Sequence, residues 1–340
     1  SPTSHAYFDY KLDAIDLEKV YNFNPIPTDL EPSKHNFILG GECNMWTERV
    51  PDENNLDSKV FPRMIGLAEV LWTYPAERDF EAFYQRLQIH YPYLDHLQIN
   101  YGLETIGSFI EQDFSNEVIQ IQLVQNLPDL MLEYRWDSND YNPYQTPLLF
   151  EQSGKLEVQA LKNGKPYGEP VTQLFEYHKA LNKNVNYACD YNQWYPANIE
   201  KALVDGKIGT IDFRDGNWQG FWGQDIEIVV DMGTETTIES ITTHYYQYAN
   251  SWIFQPKQVS YEVSNDSINW QTVYDEKQTA VDLTNKQSIA TFKFLDLPDS
   301  RNVLKGRYIR LKALSIGKVP EGHEAAGQEA WLFIDELSIN

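Results

Sequence analysis

Two short stretches of the chain hold the side chains best suited to act on a ligand. The denser one is Gly40-Gly41-Glu42-Cys43-Asn44-Met45-Trp46-Thr47-Glu48, at the end of a short apolar run. An indole two residues ahead of a carboxylate suits a sugar. The ring face packs on the apolar face of a pyranose while the carboxylate accepts from its hydroxyls. A core Trp46 beside a surface Glu48 meets the same spacing, and the residues alone leave these two readings level. The other stretch is Ser4-His5-Ala6-Tyr7-Phe8-Asp9-Tyr10. In an extended segment Tyr7 and Asp9 share one side and could enter one pocket, although ordinary strand residues alternate in the same way.

The elements that would position these residues read as α/β. The apolar run at 37–41 ends in glycine and predicts a buried parallel strand. Residues just past such strand ends face the active site of an α/β barrel. Val60, Met64, Leu67, Ala68 and Leu71 recur at helical spacing and predict a helix over 60–72. Asp79 is the expected N-cap of a second helix, with Phe80, Phe83, Tyr84 and Leu87 inward and Glu81 and Arg86 outward. Pro92 should kink or end it, with Leu94, Leu97 and Ile99 continuing the apolar face. From about Glu117 to Tyr177 the pattern changes to strand-like runs at 118–123, 131–136 and 156–161. Asp137-Ser138-Asn139-Asp140 and Asn163-Gly164-Lys165-Pro166 separate them as turns. Residues 181–340 are again strand-rich, at 226–231, 307–311 and 331–339. A hairpin joins 259–263 to 270–274 across Ser264-Asn265-Asp266-Ser267. The expected architecture is therefore multidomain: the last βα units of a partial (β/α)8 barrel over 1–112, a small β-sandwich over 113–180, and a larger β-sandwich or jelly roll over 181–340.

Composition narrows the partners. The 340 residues carry a net charge of −23, with the acid excess spread over all three segments, as expected of a solvated acidic surface. That balance excludes a nucleic-acid partner, which needs clustered Lys and Arg. No apolar run approaches the roughly 20 residues of a membrane-spanning helix. Aromatic residues reach 14%, a profile that suits carbohydrate handling. Cys43 and Cys189 lie far apart, in different expected domains, so neither a structural disulfide nor a zinc ribbon is expected.

Four motifs then carry a resemblance. They are residues 1–10, Ile-Asp-Leu-Glu-Lys-Val-Tyr at 15–21, Gly-Gly-Glu-Cys-Asn-Met-Trp-Thr-Glu at 40–48, and Asn-Leu-Asp-Ser-Lys-Val-Phe-Pro-Arg-Met at 55–64. In order and spacing they resemble the end of the catalytic domain of family 20 glycoside hydrolases, the β-N-acetylhexosaminidases, through roughly residues 1–110. The resemblance implies part of a retaining, substrate-assisted exo-hydrolase that releases terminal N-acetylhexosamine from glycans, an exception to the two-carboxylate scheme. Tyr7 would hydrogen-bond the substrate's acetamido oxygen and hold it near the anomeric carbon. Trp46 would wall the terminal-sugar pocket, while Asp9 and Glu48 would accept from the 4- and 6-hydroxyls. Arg63 and Glu69 match family positions as structural residues. No catalytic cofactor is implied.

One departure outweighs these matches. The family's acid/base machinery is an adjacent Asp-Glu pair after a glycine-rich, histidine-containing strand. This chain has Asp52-Glu53, Asp275-Glu276 and Asp335-Glu336, and none follows such a strand. A whole barrel takes about 250 residues, more than this segment holds. The expectation is a C-terminal portion that is inactive alone, lacks the acid/base pair, and needs a missing N-terminal barrel segment as its partner. Family habit adds a secreted or periplasmic location, its signal lying upstream.

Two further resemblances follow. Leu132-Glu133-Tyr134-Arg135 and Gly154-Lys155-Leu156-Glu157-Val158-Gln159-Ala160 resemble the small sandwich of chitobiase-type enzymes. Ala202-Leu203-Val204-Asp205-Gly206, Trp218-Gln219-Gly220-Phe221, Ile228-Val229-Val230-Asp231-Met232-Gly233 and Arg307-Tyr308-Ile309-Arg310 resemble a discoidin, or coagulation factor type C, domain. Such domains hold calcium by loop oxygens and bind sugars on their loops. Asp205, Thr210 and Glu336 resemble a calcium set, with a salt-bridged or solvated loop as the alternative. Trp194, Trp218, Trp222 and Trp252 are candidates for sugar stacking, with core packing expected for at least two. His244 and His323 read as surface or satisfied residues. The competing class is a non-catalytic carbohydrate-binding or adhesion protein.

Overall fold

In the computed structural model, which describes residues 1–116, 118–296 and 303–340, the chain divides into two units. The first joins Ser1–Phe109 with Val124–Glu133 and Val158–Val171, and the second joins Ile110–Leu123, Tyr134–Glu157 and Thr172–Asn340. The strand-rich middle of the chain is thus shared between them. Glu117, where that middle stretch was expected to begin, lies outside the described residues.

Helices dominate the N-terminal part of the first unit. Asp16, Asp52 and Asp79 cap Leu17–Tyr21, Glu53–Val60 and Phe80–Leu87, accepting from Lys19 N at 2.9 Å, Asn55 N at 2.7 Å and Ala82 N at 3.0 Å. Each carboxylate satisfies one of the backbone donors that a helix start leaves unpaired. Pro92 falls in the first turn of Tyr91–His96, where a missing N–H is harmless, so the preceding helix stops at Leu87.

Two expectations for this unit need correction. The helix expected over 60–72 forms but starts at Arg63, and Val60 ends a separate helix, Glu53–Val60, because Pro62 cannot donate and interrupts the run. Its buried face is Arg63, Gly66, Leu67 and Val70, whereas Met64, Ala68 and Leu71 face outward. The helix packs closely through Gly66, where a Cβ would lie 2.7 Å from Leu17 Cδ1. The strand expected at 37–41 is also absent. Pro32–Phe37 form a 3-10 helix, and Phe37 and Leu39 are 73% and 96% exposed. A parallel strand needs covered faces and a ladder. Here the parallel pairing shrinks to one bridge, Tyr7 with Asn44.

In the middle segment the expected runs appear as strands Gln120–Gln125, Leu130–Trp136 and Gly154–Lys162. After Gly154–Lys162 the chain turns back through Asn163 and Gly164, both left-handed at φ 52° and 73°. That is the hairpin turn their sequence demands.

The second unit contains two antiparallel sheets that share one core. One orders strands Gln271–Lys277, Gln258–Ser264, Lys305–Leu314, Ile226–Thr237 and Asn184–Tyr187. The other orders Gln219–Trp222, Trp331–Ile339, Ser240–Gln247 and Ser288–Leu295. Alternation places Ile226, Ile228, Val230, Ile309, Leu311, Val259 and Tyr261 inward against Ile241, Tyr245, Leu332 and Ile334. The expected hairpin forms with Val263 opposite Gln271. Its turn is fixed by Asp266, whose Oδ1 accepts from Ile268 N and Asn269 N. This is the predicted β-sandwich.

Candidate functional site

In the first unit the bridge at Tyr7 and Asn44 sets the site. Phe8 N donates to Asn44 O and Asn44 N donates to Ala6 O, both at 2.8 Å. Residues 7–9 and the segment carrying Trp46 therefore run side by side. Arg63, 2% exposed, fastens the first of them. Its guanidinium donates to Phe8 O, to Ile15 O at 2.8 Å and to Lys59 O at 2.8 Å, and lies 4.9 Å from the Phe8 ring. Burial lowers its pKa to about 10, with the Asp9 and Asp16 charges opposing, so it stays ionised at neutral pH. The Lys59 ammonium donates to Asp9 O at 2.8 Å. Glu69 pairs with Arg86 at 2.6 Å. Both family-position residues thus serve the scaffold.

Asp9 is 6% exposed, and its Oδ1 is buried without a hydrogen-bond partner among the described residues. Leaving such an oxygen unpaired costs roughly 1–3 kcal/mol, so it has an acceptor's capacity to spare. Tyr7 is half-buried, with its ring 5.9 Å from that of Tyr10. Trp46 is 55% exposed and Glu48 is exposed in the turn Thr47–Arg49. No hydrogen bond or ring contact joins Trp46 or Glu48 to Tyr7 or Asp9 among the described residues. Asp52 and Glu53 open a helix, with Asp52 engaged as its cap.

In the second unit Asp205 and Glu336 meet in the interior. They are 3% and 0% exposed, and burial raises both pKa values, with the Asp205 charge adding to the rise at Glu336. Asp205 accepts from Lys207 N at 2.8 Å and Asn198 Nδ2 at 3.0 Å. Glu336 Oε2 accepts from Gly206 N at 2.8 Å, and Oε1 lies 3.0 Å from His178 Nε2. Burial lowers His178 to about 3, so the imidazole is neutral and that contact is no ion pair. His178 was missed in the sequence because nothing local marks it. Thr210 is exposed, and its hydroxyl accepts from Asp212 N at 3.2 Å. Among the described residues no group of three or more His, Cys, Asp or Glu converges as ligands.

The stacking candidates separate. Trp218 is 1% exposed, packs edge-on to Tyr246 at 5.2 Å and donates Nε1–H to Thr210 O at 3.0 Å. It is a core residue and offers no ring face to a sugar, which corrects the expectation. Trp222 is half-buried between Trp331 at 4.6 Å and Trp252 at 6.1 Å. Trp194 is 75% exposed. His244 is satisfied by Asp335 at 3.2 Å, and both cysteines are free.

Comparison with known proteins follows this division. Residues 1–75 match the family described as glycosyl hydrolase family 20, catalytic domain, and residues 186–332 match the F5/8 type C domain. A beta-hexosaminidase of Porphyromonas gingivalis is 31% identical over 211 residues, 57% of this chain and 27% of the relative. A beta-N-acetylhexosaminidase of Cellulomonas fimi is 35% identical over 106 residues, 28% of this chain and 21% of the relative. Among solved structures, CpGH89CBM32-6 of Clostridium perfringens aligns with 48% of this chain and 98% of its own, at 17% identity and a TM-score of 0.29. The chain thus carries part of a family 20 catalytic domain toward its N-terminal end and an F5/8 type C domain toward its C-terminal end. It spans about a quarter of the length of these two curated relatives.

Proposed function

We propose that residues 1–112 are the end of a (β/α)8 barrel and form part of the terminal-sugar pocket of a retaining, substrate-assisted exo-β-N-acetylhexosaminidase. The observation that carries this reading is the Tyr7–Asn44 bridge beside a buried Asp9 oxygen with no partner among the described residues. Tyr7 positions the acetamido oxygen, Asp9 and Glu48 accept from the sugar's 4- and 6-hydroxyls, and Trp46 covers the ring's apolar face. Positioning of this kind acts by aligning the internal nucleophile, and the chain's own residues supply that alignment but not the proton transfer. The Asp-Glu pair for proton transfer comes from another part of the barrel. In support, Asp52 is engaged as a helix cap, Asp275 and Glu276 lie on the strand Gln271–Lys277, and Asp335 and Glu336 are buried in the second unit. The appended F5/8 type C domain binds carbohydrate, and Asp205 and Glu336, with Thr210, hold a structural calcium ion. An exported location accompanies this reading. No helix among the described residues is long and apolar enough to cross a membrane.

The test is hydrolysis of a chromogenic N-acetylglucosaminide by the chain alone and by the chain joined to the upstream part of a family 20 catalytic domain. The chain alone should be inactive and the joined protein active. Tyr7→Phe in the joined protein should lower kcat about 100-fold with the fold intact. Turnover by the chain alone, or full activity of Tyr7→Phe, would overturn the reading.

A further inference from the structure

The second unit has a groove of about 660 Å³ whose lining includes Trp194, Tyr195, Phe213, Arg214 and Trp331. Tyr195 packs its ring between Trp331 at 5.3 Å and Phe333 at 4.7 Å, so its aromatic wall is braced from behind. Trp194 stands at 75% exposure, its backbone N–H donating to Asn192 Oδ1 at 2.9 Å. The loop that presents it is strained. Ala197 and Ile199 both take left-handed backbone, at φ 46° and 55°, and for a β-branched residue such a conformation is rare and unfavourable. Gln219 enforces it by donating through Nε2 to Ile199 O at 2.9 Å and Pro196 O at 3.3 Å. An apolar ring held in water by a strained, braced loop points to a stacking surface.

Arg214 gives that surface a sign. Its guanidinium carbon stands 4.2 Å from the Phe213 ring centroid, which places the charge over that ring at the groove. No carboxylate pairs with it among the described residues, in a chain of net charge −23. The adjacent carboxylates are engaged by backbone instead. Asp215 accepts from Thr210 N and from Asn217 N at 2.9 Å, and Asp212 accepts from Arg214 N at 3.1 Å. A planar five-donor fork fixed over an aromatic ring is matched to a carboxylate's two oxygens.

Building on the carbohydrate-binding reading, we infer that this groove takes a carboxylate-bearing sugar, its ring against Trp194 and Trp331 and its carboxylate on Arg214. The test is calorimetric titration of the full chain with glucuronic acid, N-acetylneuraminic acid, glucose, N-acetylglucosamine and glucose 6-sulfate. At least one acidic carboxylate sugar should bind about tenfold or more tighter than the neutral ones, as a charge-assisted contact warrants. Arg214→Ala should erase that difference, Arg214→Lys should restore part of it, and added salt should weaken only the acidic sugar. Trp194→Ala should abolish binding of both kinds, with circular dichroism unchanged. Neutral sugars bound as tightly as acidic ones, or an Arg214→Ala chain with unchanged selectivity, would overturn the inference while leaving carbohydrate binding in place. Preference for the sulfate over both carboxylates would reject the carboxylate assignment. A folded chain that binds none of the five would reject the carbohydrate-binding reading itself.

Discussion

Glu157 collects three partners on the strand Gly154–Lys162. Tyr141 donates its hydroxyl to it, Arg135 Nε donates at 2.9 Å, and Lys155 lies at 3.1 Å. The Tyr141 hydrogen bond, then those from Lys155 and Arg135, pull its pKa down to about 2 against the opposing effect of burial. A carboxylate whose folded pKa is depressed contributes stability that is present above its ordinary value of 4.5 and lost as pH falls toward 2. Melting temperature should therefore drop between about pH 4.5 and 2, and Glu157→Gln should flatten that limb. Melts at pH 5, 3 and 2 decide it, and equal slopes in both proteins would refute the assignment. In the sequence this residue was only one letter of a resemblance, because partners at 135 and 141 cannot be assigned before the strands are. Arg63 is the same lesson from the other side. Its family position marked it as structural, but only the fold shows that it does so by donating to main-chain carbonyls at 8 and 15.

Helix starts were legible at Asp79, because a cap is a local event between a carboxylate and an N–H three residues on. Asp52 does the same work although it sits in an Asp-Glu step that invited a catalytic reading. Asp52→Ala should cost about 1 kcal/mol in chemical denaturation and leave the hydrolysis rate of the joined enzyme unchanged. A large rate loss without loss of stability would return Asp52 to the chemistry. The inner face of Arg63–Trp72 was not legible, since it depends on a close approach between Gly66 and Leu17, 49 positions apart. The false strand at 37–41 failed for a related reason. Apolar residues record that a segment suits burial, while a strand also needs a neighbour to pair with.

At the scale of the molecule the terminal sandwich was readable from alternation and turn chemistry, and the two sequence matches fall where the motifs placed them. The candidate sites were only half readable. Tyr7 and Asp9 lie close in sequence, whereas Arg214 and Trp331 share a groove across 117 positions. If calcium occupies Asp205 and Glu336, the ion removes the repulsion between two buried carboxylates, and its binding free energy adds to stability. Millimolar calcium should then raise the melting temperature by several degrees relative to chelator, and Asp205→Asn should abolish the increment. An unchanged melting temperature in the unmutated chain would reject the site.

The uneven burial of the tryptophans has an optical consequence. Trp46 and Trp72 in the first unit and Trp194 in the second are 55%, 90% and 75% exposed, while Trp218 is 1% exposed. Indoles in water emit to the red of buried ones and are open to collisional quenchers, so the emission band is a composite with its red edge drawn from these three side chains. A neutral quencher will strip that edge first and leave the signal of Trp218 and the half-buried indoles. A saccharide laid over Trp194 would dry and shield one contributor of the three, so the molecule carries its own reporter dye at the groove, readable without a label.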